Sequence, residues 1–316
     1  MLKNRGEVRY TYGPVASRRL GLSLGVDILS YKTCSLDCIY CQLGRTSDLT
    51  IERKSFFPRE EILAEVVEIA AQNNLDYVTF SGSGEPTLNS DIGWLIREIK
   101  SKSGRPVAVL TNSTLLWMLE VREELMATDL VVPSLDAATE ETWRRLNRPH
   151  PDLEFDKVIE GLVTFANEYS GNLWVEILLV KGVNDSSEHI KALRRVLSRM
   201  RYTKIHLNTV VRPPSEGSAV ALSYGELEEI AKRLPADTEA VLPFREKVKQ
   251  ISAHGEAERI LAAIARRPMT VEQIKESLGI TATRAGIILS ELISNGKAKQ
   301  VTHENKEFYE ANQEVA

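Results

Sequence analysis

Apolar and polar positions follow two periods along this chain, and the switches between them mark out the elements. Residues 60–72, 91–101, 115–126, 139–146, 153–168, 187–200 and 224–233 repeat their apolar positions at helical spacing. Between them, short apolar runs at 26–29, 77–80, 106–110, 130–135, 173–180 and 205–211 read as buried strands. Strands that alternate with helices of this length imply a parallel sheet covered by its helices. About six such units occupy roughly 210 residues, which suits an open (β/α)6 partial TIM barrel better than a closed eight-unit barrel. The ligand site of such a fold lies at the C-terminal ends of its strands. The polar clusters at 81–87, 111–112, 134–136, 181–185 and Asn208 fall at those ends. Residues 1–25 form a Gly- and Pro-punctuated lead-in that carries Arg18 and Arg19. That pair reads as a salt bridge at the barrel edge or a clamp on an anionic substrate.

The tail has a different rhythm. Helices are predicted at 256–266, 271–278 and 283–295, with Pro268-Met269-Thr270 as a cap, followed by short strands at 298–301 and 308–309 around His303-Glu304-Asn305. Three helices and a two-stranded wing describe a small winged helix-turn-helix. The chain thus divides into an α/β domain at 1–250 and a winged-helix domain at 251–316. Residues 256–316 carry 8 Lys+Arg against 9 Asp+Glu, and the helix in the recognition position offers only Arg284 over 283–290. That balance argues against DNA and for a peptide- or protein-docking module or a structural appendage.

Composition narrows the class. With 316 residues, 43% hydrophobic, and a net charge of -4, the chain has enough apolar residues for a full core and no general affinity for polyanions. No apolar run approaches the roughly 18 residues of a membrane helix. The first residues lack the apolar core of a secretory signal, so a cytoplasmic enzyme without a membrane role is expected.

The chain has three cysteines, Cys34, Cys38 and Cys41, all within eight residues. A disulfide framework uses an even number of spread-out cysteines, so crowded thiols point to metal. Structural zinc takes four ligands, usually from two separated pairs. Closed [4Fe-4S] clusters also take four thiolates. Three thiolates can hold three irons and leave the fourth open to a ligand. A three-thiolate zinc site with an open water position, and three free buried thiols, are the competing readings.

The run Cys34-Ser35-Leu36-Asp37-Cys38-Ile39-Tyr40-Cys41 matches the CxxxCxΦC signature of the radical S-adenosylmethionine (radical SAM) superfamily. Ser81-Gly82-Ser83-Gly84-Glu85-Pro86-Thr87 resembles that superfamily's GGE motif. The segments 13–21, 42–46, 84–88 and Arg148-Pro149-His150 look like a group of iron–sulfur oxidoreductases related to wyosine-base formation in tRNA. The extra upstream cluster cysteines of the archaeal wyosine enzymes are missing here.

The resemblance implies that Cys34, Cys38 and Cys41 ligate one [4Fe-4S] cluster. S-adenosyl-L-methionine would chelate the open iron, and one electron from a ferredoxin- or flavodoxin-like partner would cleave it to a 5′-deoxyadenosyl radical. That radical abstracts hydrogen from a substrate, a tRNA base or a peptide or protein. Glu85 would bind the methionine ammonium, Gly82, Ser83 and Gly84 would bring backbone close to the ligand, and Tyr40 would lie along the adenine. Ser134 and Asp136 are candidates for the ribose hydroxyls, with Asn112 beside them. Arg148, Asn208 and Arg212 are candidates for a carboxylate or the substrate, or are solvated surface residues. The lack of further cysteines argues against an auxiliary cluster, sulfur insertion and a methyl-carrying thiol.

Three patterns carry no chemistry. Gly21-Leu22-Ser23-Leu24-Gly25 fits the nucleophile-elbow spacing but precedes the first predicted strand. Residues 82–87 begin like a dinucleotide fingerprint, but Thr87 stands where the third glycine belongs. His150, His189, His206, His254 and His303 are scattered without ligand spacing. The alternative reading from a different class is an iron–sulfur redox or iron sensor with a DNA-reading winged helix, which has no need of Glu85 and its turn.

Overall fold

The computed structural model describes residues 10–17, 19–241 and 255–312. Arg18, His254 and the expected domain boundary at 250/251 lie outside the described residues. The chain enters through an antiparallel hairpin, β1 (Thr11–Ser17) and β2 (Gly21–Val26), paired from Thr11↔Val26 to Ser17↔Gly21. Two short strands, β3 (Thr33–Cys34) and β4 (Asp48–Leu49), pair in parallel and pin the cysteine loop. Then come α1 (Arg59–Gln72), β5 (Tyr77–Phe80), α2 (Ile92–Ser103), β6 (Val107–Thr111), α3 (Leu119–Leu125) and β7 (Leu130–Pro133). Next are α4 (Glu140–Asn147), α5 (Phe155–Glu168), β8 (Asn172–Leu179), α6 (Ser187–Leu197), β9 (Lys204–Thr209), α7 (Tyr224–Ala231) and β10 (Thr238–Ala240).

One eight-stranded sheet runs in the order β1-β2-β5-β6-β7-β8-β9-β10. Every pairing from β2 onward is parallel. Among the described residues β1 and β10 do not pair, so the sheet stays open as a partial barrel. The parallel strands read as continuous apolar runs because both faces are covered: Val78, Phe80, Val107, Val109, Val131, Val175 and Ile177 are fully buried. Their side chains and those of α1, α2 and α5 form the main core.

Several strands differ from the expectation: β1 falls in the predicted lead-in, β3 and β4 within the cysteine loop, and β2 and β10 differ as well. The strand entering the cysteine loop is 21–26, five residues before the predicted 26–29, so the GxSxG run lies on β2 and does not precede a strand. Its glycines made it read as a loop. Gly25 faces Tyr12 across the hairpin, and a Cβ on it would lie 2.1 Å from the tyrosine ring. The tyrosine occupies the place of the missing side chain. β10 was not foreseen; its three half-exposed residues carry no apolar pattern.

Beyond the barrel, α8 (Glu256–Arg266), α9 (Val271–Leu278) and α10 (Ala282–Ser294) precede an antiparallel hairpin of β11 (Ala298–His303) and β12 (Lys306–Ala311). α9 begins in a capping box of Thr270 and Gln273 and ends at left-handed Gly279. Glu304 and Asn305, with φ of 47° and 60°, form the two-residue turn of the hairpin. Both strands are longer than predicted, because their outward positions are polar and hide the alternation. Ile260, Ile264, Ile274, Ile288 and Leu289 make a second core, and Val15 of β1 belongs to it. The tail therefore packs on the barrel's entry hairpin.

His206 on β9 is 5% exposed and meets the Trp174 ring edge-on at 5.3 Å. Burial, then the Arg19 and Lys204 cations, push its pKa down to about 4, against the opposing pull of Glu176 and Glu239. The folded state thus resists protonation that the unfolded chain accepts from about pH 6.5 downward. Stability present above pH 6.5 is lost as the pH falls toward 4, by up to roughly 3 kcal/mol. Urea unfolding at pH 7 and pH 4.5 should show a smaller acid loss in His206→Leu than in the parent protein. Equal losses would remove His206 as the cause.

Candidate functional site

The loops after β2, β5, β6, β7 and β9 meet at one end of the sheet. The cysteine loop is anchored there by buried Leu36 and Ile39. Its backbone is bonded to the end of α4, Asp37 N to Asn147 O at 3.0 Å and Ile39 N to Leu146 O at 3.0 Å. Each of the three sulfurs has a nitrogen donor from a different segment. Asn112 Nδ2 lies 3.5 Å from Cys34 Sγ, Asn147 Nδ2 3.4 Å from Cys38 Sγ, and Lys32 Nζ 3.0 Å from Cys41 Sγ. Burial, followed by the Glu85 carboxylate, pushes the Cys34 thiol up to about 12. Burial, followed by Cys34, pushes Cys38 up as well. Lys32 is 3% exposed. Its burial works against its charge, but the surrounding sulfurs, Cys41 first, outweigh that and raise its pKa.

The turn after β5 lies directly on this loop. Glu85 N donates to Thr33 O at 3.2 Å. A Cβ on Gly84 would stand 1.7 Å from Thr33 O, so only glycine permits the approach. Gly82, at φ +144°, turns its bare side to Asp27. Ser83 is buried and gives both its N–H and its hydroxyl to the Asp27 carboxylate. Glu85 is 1% exposed. Its Oε1 accepts from Thr87 N (3.1 Å), Thr87 Oγ1 (2.6 Å) and Thr111 Oγ1 (2.7 Å), and its Oε2 from Asn112 N (2.6 Å). Burial raises its pKa against these four donors.

A second carboxylate, Asp136 after β7, accepts from Tyr40 OH, Asn147 Nδ2 (3.2 Å) and Leu178 N (2.8 Å). Burial pushes it up to about 6 against the hydrogen bonds from Tyr40, Leu178 and Asn147. Burial and Asp136 together lift Tyr40 well above its usual range.

The barrel lumen holds a cavity of about 370 Å³ that opens among these loops. Of the residues singled out from sequence, Cys34, Tyr40, Gly82, Gly84, Glu85, Asn112, Ser134 and Arg212 line it. Ser83 and Asp136 stand behind that lining, bonded as described. Asn208 is buried, with Nδ2 donating to Glu176 Oε1 at 3.0 Å. Arg148 is apart from the lumen, paired with Glu216 at 2.8 Å. Arg19 pairs with Glu176 at 2.6 Å on the lumen wall.

Sequence reasoning missed Lys32, Asn147, Asp27, Arg266 and Arg267. Lys32 sits at φ 56°, which no local pattern announced. Asn147 directly precedes the Arg148-Pro149-His150 segment, the one signal that could have drawn attention to it.

The three thiols fit an iron–sulfur cluster by their chemistry: a soft donor set on one loop, each sulfur with a nitrogen donor of the kind that tunes clusters. No trio of His, Cys, Asp or Glu side chains among the described residues converges on a single ion. A cluster does not require that, since each thiolate takes its own iron. No helix of the described residues is long and apolar enough to cross a membrane.

The family model of the Radical SAM superfamily matches residues 28–194. The chain is 36% identical over 313 residues to a UPF0026 protein of Methanocaldococcus jannaschii, with 95% of each chain covered. It is 35% identical over 302 residues to a protein named GTPase Obg of Brachyspira hyodysenteriae, covering 94% of this chain but only 44% of that one. The solved structure of TYW1 with a lysine–pyruvate adduct bound has a TM-score of 0.51 at 19% identity, covering 66% of this chain and 72% of that one, a likeness of fold.

The contact between the glycine turn and the cysteine loop yields a direct test. Gly84→Ala forces its new Cβ into a backbone oxygen and should cost about 2 kcal/mol or more. Gly225 in α7 has open space around its Cβ position, and Gly225→Ala should stabilise by about 0.5–1 kcal/mol. Urea unfolding of both variants checks the pair; a neutral Gly84→Ala would show that the two loops do not depend on that contact.

Proposed function

The chain belongs to the radical SAM superfamily, and we propose that it is a cytoplasmic enzyme that binds one [4Fe-4S] cluster through Cys34, Cys38 and Cys41. The observation that carries this reading is the set of three half-buried cysteines, each sulfur with a nitrogen donor from a separate segment, at the C-terminal mouth of an open parallel barrel. The cluster, when bound with S-adenosyl-L-methionine, supplies reductive cleavage of the sulfonium to a 5′-deoxyadenosyl radical.

The protein's own part is binding, orientation and exclusion of water. Lys32, Asn112 and Asn147 hold the sulfurs, and the Lys32 ammonium offsets their negative charge. Glu85 takes the methionine ammonium on the carboxylate edge that lines the lumen, while Gly82, Ser83 and Gly84 keep the turn close. Tyr40 lies along the adenine, with Ser134, Asp136 and Asn112 toward the ribose. Arg212, which lines the lumen, is the barrel's candidate for substrate contact, whereas Asn208 and Arg148, expected beside it, do not line the lumen. The lumen gives the substrate a small, walled space, which suits a single base or side chain drawn from a tRNA or a peptide. A ferredoxin or flavodoxin supplies the electron. Residues 251–316 form a second domain that we read as a winged helix. Its Arg266 and Arg267 face the barrel lumen, which favours a role in the enzyme over a DNA-reading sensor.

Anaerobic reconstitution with iron and sulfide, reduction with dithionite and addition of S-adenosyl-L-methionine should yield 5′-deoxyadenosine by mass spectrometry. Cys38→Ala should yield neither the cluster absorbance nor the product. An intact [4Fe-4S] spectrum without cleavage would favour the sensor, and co-purifying zinc without a cluster would overturn the metal assignment.

A further inference from the structure

Four arginines line the barrel lumen, and three of them have named partners. Arg19 is paired with Glu176 at 2.6 Å, Arg212 donates to Gln42 Oε1 at 3.0 Å, and Arg266 meets Asp27 at 3.4 Å with its guanidinium over the Tyr12 ring. Arg267 differs. Its Nε and Nη2 are shut off from solvent and have no hydrogen-bond partner among the described residues. Tyr12, the phenol beside it, already shares a hydrogen bond with Ser81 Oγ at 2.6 Å.

A guanidinium is always charged, and each buried N–H left unmet costs about 1–3 kcal/mol. Two such donors on one planar fork match the two oxygens of a carboxylate or phosphate. The side chain is delivered from the end of α8, and its place is fixed by the packing of α8 and α9 on β1, where Val15 joins the tail's core. The tail therefore contributes a charged group to the barrel's own cavity.

We propose that Arg267 anchors an oxyanion, a phosphate or carboxylate, carried by the substrate, so that the C-terminal domain completes the substrate site. This rests on the enzymatic reading above. The anion enters the lumen with its charge against Arg267 on the β1–β2 side, leaving the reacting part of the substrate free to reach Cys34 and Tyr40, which line the same lumen.

The test uses the full chain and inorganic phosphate as the probe, titrated against chloride at constant ionic strength and followed by thermal unfolding. The apo protein suffices, so the result is independent of whether the cluster forms or S-adenosyl-L-methionine is cleaved. Phosphate at ten times its dissociation constant should raise the midpoint of the parent protein by about 2 °C. Arg267→Met should abolish that shift, and Arg267→Lys, which keeps the charge without the fork and serves if the methionine variant fails to fold, should weaken phosphate binding at least fivefold. The affinity of the reconstituted protein for S-adenosyl-L-methionine should stay within twofold in both variants. A parent protein that phosphate does not stabilise, or equal shifts in parent and variants, would overturn the proposal. So would a tenfold loss of S-adenosyl-L-methionine affinity, which would assign Arg267 to the cofactor.

Discussion

Glu85 is 1% exposed, and a carboxylate taken that far from water is tolerated only where donors replace its hydration. Four protein donors do so, and they come from two strand ends: Thr87 within its own turn, and Thr111 and Asn112 at the end of β6. The same Asn112 turns its amide to Cys34 Sγ and to Ser35 Oγ at 2.9 Å. One charge therefore fixes the glycine turn, the β6 loop and the first cysteine relative to one another. The steric contact of Gly84 with Thr33 reinforces the arrangement from the backbone side. Charge-assisted hydrogen bonds are roughly twice as strong as neutral ones, so this carboxylate ties the mouth of the barrel more firmly than a neutral side chain in its place could.

A parallel sheet leaves its polar loop ends crowded together, and the barrel solves that crowding twice in the same way. Asp136 plays on the far wall the part that Glu85 plays on the near one, gathering Tyr40, Asn147 and Leu178 N. Asn147 then reaches Cys38 as Asn112 reaches Cys34. A third buried carboxylate, Asp27, ties Ser83 to Arg266 and so carries the network out of the barrel into the tail. A buried pair of this kind is weak evidence for stability, since desolvation offsets much of the attraction. Its value lies in position: the tail cannot shift on β1 without breaking the Asp27–Arg266 pair.

The parts of this arrangement that were legible in the sequence are those written locally. The alternation of strand and helix showed through because both periods are strong in a sheet buried on both faces. The tail helices at 256–266 and 271–278 were placed to the residue, with caps and apolar stripes that agree. The cysteine spacing is local by nature. What escaped was set by tertiary contact. β2 read as a loop because Gly25 exists to receive Tyr12 from the facing strand. Asn147 reaches Cys38 across 109 residues, and nothing near either residue reports the meeting. Arg267 lay in a tail with no net basic character, so its placement in the lumen depended on a domain contact that no periodicity encodes.

The electrostatics of the sulfur nest argue for what it is built to hold. Burial drives the Cys34 and Cys38 thiols upward, so as free thiols they would be poor nucleophiles at neutral pH. A neutral thiol is also only a weak acceptor for the nitrogen donor that faces each sulfur, one of them the buried Lys32 ammonium. Sulfur that carries charge reverses both points. Lys32 then gains a counter-ion in place of a desolvation cost, and the two asparagine amides become charge-assisted donors. The three sulfurs are thus better matched by their donors when they carry charge than as neutral thiols, the condition under which the proposed cluster would draw binding energy from its surroundings.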